Sequence, residues 1–279
     1  MTIEITEQEK LILRSVTIPP RPEALLKFSE EAKKEEPNIE VLARAITSDV
    51  AISAAILQVV NSAAFSTVKE IESINQAIMV LGLKRLIPLV KSVALKSAVQ
   101  AGAELSNFWQ EQSDIATACS LVANELSKPD IANHCYMLGL FHAAGIPILY
   151  QHFDDYSEVL SFASENGWDE GVQFEYNRYQ TSHTSIGAVL ANQWKLPPAM
   201  TKVIYYQHDV GGIFESGELN DTALTLLSIL KIGIFCVESK DTMEDVNPDW
   251  ENIKDVLCDY LDVSETEVLE LKDKITGSL

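Results

Sequence analysis

Basic residues are the scarce class in this chain. Lysine and arginine total 21 against 41 aspartates and glutamates over 279 residues, a formal net charge of −20. A general DNA or RNA binder needs a cationic surplus to neutralise phosphates, so no nucleic-acid partner is expected. Long apolar runs are missing too: nothing approaches the roughly 18 residues that a membrane span requires. The opening MTIEITEQEK is acidic and polar, with no positive segment leading into an apolar one, so no secretory leader is read there and a cytoplasmic location is expected. Cysteine is sparse. Cys119, Cys135, Cys236 and Cys258 stand far apart among apolar neighbours, form no C-x-x-C pair, and are read as reduced core residues.

Strand signals are nearly absent as well. No run alternates β-branched with polar residues, no Asn-Gly turn occurs, and no period of 30 to 50 residues suggests a solenoid. Glycine numbers only 12 and falls at expected helix ends or close contacts. What is present is an apolar fraction of 47%, enough for a sizeable core and too much for a disordered chain. The apolar groups recur at three- and four-residue spacing through residues 39–60, 118–126, 136–150, 184–194, 222–239 and 250–261. The first of these breaks near Ser48-Asp49, where a new N-cap fits. Thr6-x-x-Glu9 and Ser264-x-x-Glu267 read as capping boxes for the first and last helices. The fold class is therefore all-α, with about a dozen helices.

Charge is unevenly spread. Between Ser73 and Ala103 there is no acid, and Lys84, Arg85, Lys91 and Lys96 give +4. On a helix these four fall within an arc of roughly 140°, with Leu86, Val90, Val93 and Ala94 on the opposite, core side. Such an arc suits an acidic partner, and this chain's own C-terminal region is one candidate. Pro88, inside the same stretch, is expected to start or kink the helix. By contrast Glu238 to Lys274 holds 13 acids and 4 bases, net −9, and reads as a separate acidic helical segment.

Most catalytic signatures are missing. There is no G-x-S-x-G elbow, no phosphate-cradling glycine loop, and no Glu-x-x-His pair of the di-iron type. Asp154-Asp155 reads as an Asx-type helix start. Five histidines remain: His134, His142, His152, His183 and His208. His142 lies in the apolar run GLFHAAGI, His183 opens a helix with Ser182 as its cap, and His208 ends another in VIYYQHD. A helical bundle can gather such residues around a metal, but their spacing alone does not require it.

Two stretches carry a resemblance. The first is IPPRPEALLKF, then LARAITSDVAISAAILQVVNSAAF and IESINQAIMVLGLKRLIPLV, with landmarks Pro19, Pro20, Pro22, Asp49, Asn61-Ser62, Ile74, Ala77, Ile78, Leu81 and Gly82. The second is FWQEQSDIATACSLVANEL, MLGLFHAAGIPIL and SHTSIGAVLANQWKLPPAMTKVIYYQHD, with Trp194, Leu196, Pro197 and Pro198. Together they resemble the HDOD domain, a bacterial signalling module related to the HD metal-dependent phosphohydrolases. The resemblance implies an N-terminal helical half at about 16–103, a degenerate HD-like half at about 104–212, and an acidic helical extension at 213–279.

It also implies a test of activity. Active HD enzymes use a first His, an adjacent His-Asp pair and further His or Asp ligands around one or two metals. Here the first region reads Trp109-Gln110-Glu111-Gln112-Ser113, and the pair reads His142-Ala143. The lost carboxylate would have supplied a hard anionic ligand for a divalent cation. No catalytic residue, cofactor or metal is therefore expected, with His142, His183 and His208 left as residual candidates that could hold a single divalent ion weakly. The expected function is that of a non-enzymatic regulatory protein acting on another signalling protein. The 15 residues before the resembling span and about 65 after it are too short for a typical catalytic domain, so action in trans is expected. Lys84, Arg85, Lys91 and Lys96 are the candidate contact residues. A residual metal-dependent phosphohydrolase or nucleotide-binding protein stands as the alternative, and an oligomeric scaffold built on the acidic C-terminal helices as a third reading.

Overall fold

Short polar side chains set the helix starts. A computed structural model describes residues 9, 12, 14–62, 65, 70–99, 105, 107–209, 212–240 and 248–279. Among these residues fourteen helices have both ends described, and no strand occurs. The N-terminal half holds α1 (Glu23–Glu31), α2 (Ile39–Thr47), α3 (Val50–Val60) and α4 (Ile74–Ala98). The HD-like half holds α5 (Phe108–Glu125), α6 (Ala132–Phe141), α7 (Gly145–His152), α8 (Ser157–Asn166), α9 (Trp168–Tyr179), α10 (His183–Gln193) and α11 (Pro198–Tyr206). Then follow α12 (Asp221–Glu238), α13 (Pro248–Leu261) and α14 (Glu265–Thr276).

The side chain of Asn38 accepts the backbone N–H of Glu40 and Val41, Asp49 that of Ile52, and Ser182 that of Ser185. Each satisfies a donor that the first helical turn leaves without an intrahelical partner. Ser264 and Glu267 form the expected capping box, while Thr6 of the other expected box lies outside the described residues.

Two local expectations need correction. The chain between Ile74 and Ala98 breaks at Gly82 (φ 68°, ψ 166°), and helix continues through Pro88. Backbone of that shape is open to glycine at little cost, so the turn is made there. Pro88, already within the second helical piece, only forgoes the single N–H that would reach Lys84. Asp155 is not a helix-start cap either. Its carboxylate accepts Arg178 Nε and Nη2 and the Tyr179 hydroxyl, while α8 begins without a side-chain cap.

Burial follows the periodicity. Leu25, Phe28, Leu42, Ile46, Ile52 and Ile56 are fully buried in the N-terminal half, and Leu86, Val90, Val93 and Ala94 face inward as expected. Burying each leucine-sized side chain stabilises by about 1.5–3 kcal/mol. In the HD-like half α5 lies between α6 and α12. Close approach is possible because a Cβ at Gly139 would come within 2.6 Å of Ala116 Cα, and one at Gly233 within 2.5 Å of Cys119 Sγ. Cys119, Cys135 and Cys236 are buried thiols and Cys258 is half-buried; all four are free.

Named contacts join the two halves. Trp194 Nε1 donates to the Pro19 carbonyl at 3.1 Å, and its ring meets Phe141 edge to face at 6.0 Å. Lys91 Nζ donates to the Lys195 carbonyl at 2.8 Å. The acidic region is not set apart from this packing. The apolar residues between Ala223 and Cys236, with Trp250, Ile253, Leu257, Val268 and Ile275, belong to the same apolar core. Lys274 of α14 pairs with Glu125 of α5 at 2.6 Å. Among the described residues no helix is long and apolar enough to cross a membrane.

Candidate functional site

The three histidines singled out in the sequence converge on one cavity of about 1240 Å³, lined also by Gln112, Trp168 and Lys231. Local structure delivers each of them. His142 closes α6, His183 is the first residue of α10, and His208 lies just beyond α11. The first two approach because Gly145 opens α7: a Cβ there would stand 2.1 Å from the His183 carbonyl oxygen.

Each imidazole is oriented through Nδ1. For His142 that atom lies 2.7 Å from the Gly139 carbonyl, so it donates and leaves Nε2 bare. His183 Nδ1 is 2.9 Å from Glu175 Oε2, and Tyr156 donates its hydroxyl to the other carboxylate oxygen at 2.5 Å. His208 Nδ1 is 2.9 Å from Asp169 Oδ1, and the His183 and His208 rings meet edge to face at 5.4 Å. Burial pushes the His142 imidazole down to about 4; the Gly139 carbonyl opposes this, and the charges of His183 and Lys231 add to it. His208 is likewise held well below its ordinary value, first by burial and then by Lys231. Burial thus favours the neutral form of both His142 and His208.

Three further residues complete the centre. Asp249, from α13, accepts the backbone N–H of Trp168 at 2.8 Å through Oδ2 and that of Asp169 at 3.0 Å through Oδ1, so it caps α9 from across the fold. Gly167 makes room for it: at φ 86° it carries no Cβ, which would otherwise fall 2.5 Å from Asp249 Oδ1. Lys231, projecting from α12 with a side chain 4% exposed, brings Nζ to 3.4 Å from Asp169 Oδ1.

These donors do not fit the one- or two-metal arrangement of the HD enzymes. Position 143 is alanine, so the adjacent carboxylate is absent. The helix that should bring a first histidine presents Gln112, whose buried Oε1 has no hydrogen-bond partner. Asp169, His208 and Asp249 each offer one ligand atom within 4.8 Å of the others. Both Asp249 oxygens already accept helix amides, however, and Asp169 Oδ1 serves His208 and Lys231 together. Only Asp169 Oδ2 lacks a partner. The result is a degenerate HD-type site whose loose Asp-His-Asp group could chelate a divalent ion only weakly.

Asp169, Asp249, Lys231 and Glu175 were not singled out by sequence. Lys231 did carry a signal, as the lone charge inside TALTLLSILKIGIFCV.

The basic arc divides. Lys84 and Arg85 are exposed, with Lys84 3.6 Å from the equally exposed Asp130. Lys91 holds the Lys195 carbonyl, and Lys96 donates to Ser113 Oγ at 3.2 Å. The remaining motif residues act on backbone. Asn61 donates to the Leu57 and Ile71 carbonyls and accepts the Ile71 N–H, Ser62 donates to the Val59 carbonyl, and Pro197 precedes α11.

Comparison with known proteins agrees with this geometry. The HDOD domain family model matches residues 18–210. An uncharacterised protein of Treponema pallidum is 24% identical over 217 residues, covering 75% of this chain and 42% of that protein. The uncharacterised protein YuxH of Bacillus subtilis is 27% identical over 165 residues, covering 59% of this chain and 39% of YuxH. The chain thus aligns with less than half the length of each. Among solved structures, one from Shewanella amazonensis named as a candidate phosphohydrolase superposes with TM-score 0.71 at 19% identity, covering 98% of this chain and 94% of the other. An HDOD domain protein of unknown function from Geobacter sulfurreducens gives 0.64 at 19% identity, covering 98% and 97%.

Proposed function

This chain belongs to the HDOD domain family, and on that premise we propose that it is a non-enzymatic regulatory protein of bacterial signal transduction that works by contact with another signalling protein. The observation that carries this reading is the state of the HD-like centre. Its His-Asp pair reads His142-Ala143, and the cation facing Asp169 is a lysine of the chain itself. A phosphohydrolase needs a metal to activate water and to neutralise the phosphoryl oxygens, and these residues are arranged for neither task. In this reading residues 16–212 form the recognition module, and α12–α14 buttress it.

The contact surface proposed is the exposed part of α4. Lys84 and Arg85 stand there close in sequence to Met79 and Val80, which are 68% and 56% exposed. Large exposed apolar side chains flanked by like charges suit a partner that presents apolar groups beside carboxylates. A photo-crosslinking residue placed at Met79 should give one discrete protein adduct in cells, lost in Lys84→Glu/Arg85→Glu, while the same residue at Val256 gives none. Equal adducts at both positions, or an adduct indifferent to the reversal, would remove this surface.

The second reading, a residual phosphohydrolase or nucleotide binder, is favoured by one observation: the Asp169–His208–Asp249 group lies beside two further imidazoles in a large cavity. Full-length, tag-free protein assayed with Mn²⁺ against nucleotides and an aryl phosphate decides it. Turnover that His208→Ala abolishes would establish that reading in place of the first.

A further inference from the structure

The geometry points to Lys231 as a tethered cation that takes the place of a hydrolytic metal ion, joining α12 to α9 at Asp169. This goes beyond the regulatory reading and does not depend on it, since a chain could lose metal and still be an enzyme, or bind a partner and still hold metal.

The centre demands positive charge. Asp169 and Asp249 bring carboxylate oxygens and the His208 nitrogen within 4.8 Å of one another, in a setting where the Asp169 and His208 side chains are each 8% exposed. Carboxylates this close, with little water between them, repel strongly unless a cation or several N–H groups lie against them. Asp249 has the two amides that open α9. Asp169 has no such amides. Its neighbouring cation is Lys231, whose buried Nζ stands 3.4 Å from the same oxygen that His208 Nδ1 meets.

The lysine also stands where a metal would. It lines the same cavity as His142, His183 and His208, and its Nζ reaches the Asp169 oxygen that His208 also holds, so the ammonium lies beside the histidines that an HD enzyme would turn toward its ion. A lysine in the middle of an apolar helix is costly to bury, and the pairing with Asp169 supplies the compensation. A divalent ion cannot add to this arrangement without setting two positive centres side by side against Asp169, whose side chain is 8% exposed. Withdrawing the ammonium leaves the opposite: Asp169 with Oδ2 unpartnered and Oδ1 held by His208 alone, and space the length of a lysine head group. The cation-for-cation exchange predicts that metal binding is latent in this chain and is suppressed by one residue.

The test is Mn²⁺ binding to the full-length, tag-free chain, counted by electron paramagnetic resonance of the free ion. Wild type should take up no stoichiometric Mn²⁺. Lys231→Met, which keeps most of the aliphatic stem, should bind one equivalent at least tenfold more tightly than wild type, and adding Asp169→Asn should remove that gain. Thermal unfolding gives a second readout: Lys231→Met should melt lower than wild type and recover with Mn²⁺, whereas wild type should not respond. A folded Lys231→Met that gains no Mn²⁺ overturns the inference. So does a wild-type site that binds one equivalent and loses it in His208→Ala. That last measurement needs no lysine variant, so the inference stays open to refutation if Lys231→Met does not fold. The crosslinking outcome at Met79 is read separately, and failure of either idea leaves the other standing.

Discussion

Asn61 and Glu175 each bind two segments of chain through one side chain, yet they do different work. Asn61 closes the connection between Leu57 and Ile71, a span within ten residues of itself. Glu175 accepts from Tyr156 on one side and His183 on the other, fastening three stretches of the HD-like half at zero exposure. The contrast is general between the two halves. In the N-terminal half Asn38, Asp49, Ser62 and Ser73 reach no more than three residues along the chain. Into the HD-like half, from the C-terminal helices that follow it, Asp249 reaches back 81 residues and Lys231 reaches 62. Local caps can be lost one at a time at modest cost, but a buried network loses a partner for every member removed.

The largest effect expected is where the halves meet. Trp194 is 1% exposed, packs on Phe141 and donates to Pro19. Trp194→Ala should cost about 3–5 kcal/mol in urea unfolding. If the two halves fold as one unit, helix loss and tryptophan fluorescence should shift together. A split transition, with only the HD-like half destabilised, would break the comparison by making each half a separate folder.

Within the buried network, Glu175→Ala leaves the Tyr156 hydroxyl and the His183 Nδ1–H without acceptors and should cost about 3 kcal/mol. Glu175→Gln, which keeps an acceptor, should cost less. Equal losses in the two variants would show that volume rather than hydrogen bonding matters there.

Acid should single out the same half. His142 titrates near 4 in the folded chain against an ordinary value of 6.5, so the unfolded state binds the proton more readily. The stability owed to its neutral form is complete above pH 6.5 and is lost progressively as pH falls from 6.5 to 4. The loss should be on the order of 2–3 kcal/mol at the lower end, because each tenfold difference in proton affinity between folded and unfolded chain is worth about 1.4 kcal/mol. Burial is the main cause, with the neighbouring His183 and Lys231 adding to it. His142→Gln should lessen the slope of the stability profile between pH 4 and 6.5, with His208 carrying a share of what remains, and an unchanged slope would take His142 out of the acid response.

These distances explain how much could be read in advance. The all-helical class, the break at Ser48-Asp49, the Ser182 cap and the Ser264–Glu267 box were legible because a cap and its amide lie within three residues. His142, His183 and His208 were legible as types, being few and set among apolar neighbours. Asp169 and Asp249 were not, since an acid in the first turn of a helix usually serves only the helix dipole, and nothing local reveals that α13 begins against α9. The same limit misplaced the bend in α4. Proline is the stronger breaker by composition, but only the backbone angles reveal that Gly82 turns first. A smaller effect checks the local side of this contrast. Asp49→Ala should cost about 1 kcal/mol, with Asp49→Ser nearly neutral, because only the Ile52 N–H depends on it.

The smallest effect expected is the one that separates recognition from folding. Lys84 and Asp130 are 76% and 93% exposed at 3.6 Å, a geometry that adds little to stability. Arg85 is exposed on the same helix, and no ion pair or hydrogen bond of its side chain occurs among the described residues. Lys84→Glu/Arg85→Glu should therefore stay within about 0.5 kcal/mol of wild type in the same urea series. Lys91, from the same arc, is different. It is partly buried, which lowers its proton affinity, with the charges of Arg21 and Lys33 adding to that, and its ammonium holds the Lys195 carbonyl of the other half. Lys91→Ala should cost about 1 kcal/mol through that hydrogen bond. If the double reversal cost as much as Lys91→Ala, all four cations would be struts and the arc would have no free face. If Lys91→Ala were as silent as the reversal, the halves would be held by Trp194 and apolar packing alone. A silent reversal beside a costly Lys91→Ala leaves Lys84 and Arg85 as charges without a folding role, which a docking surface on α4 requires.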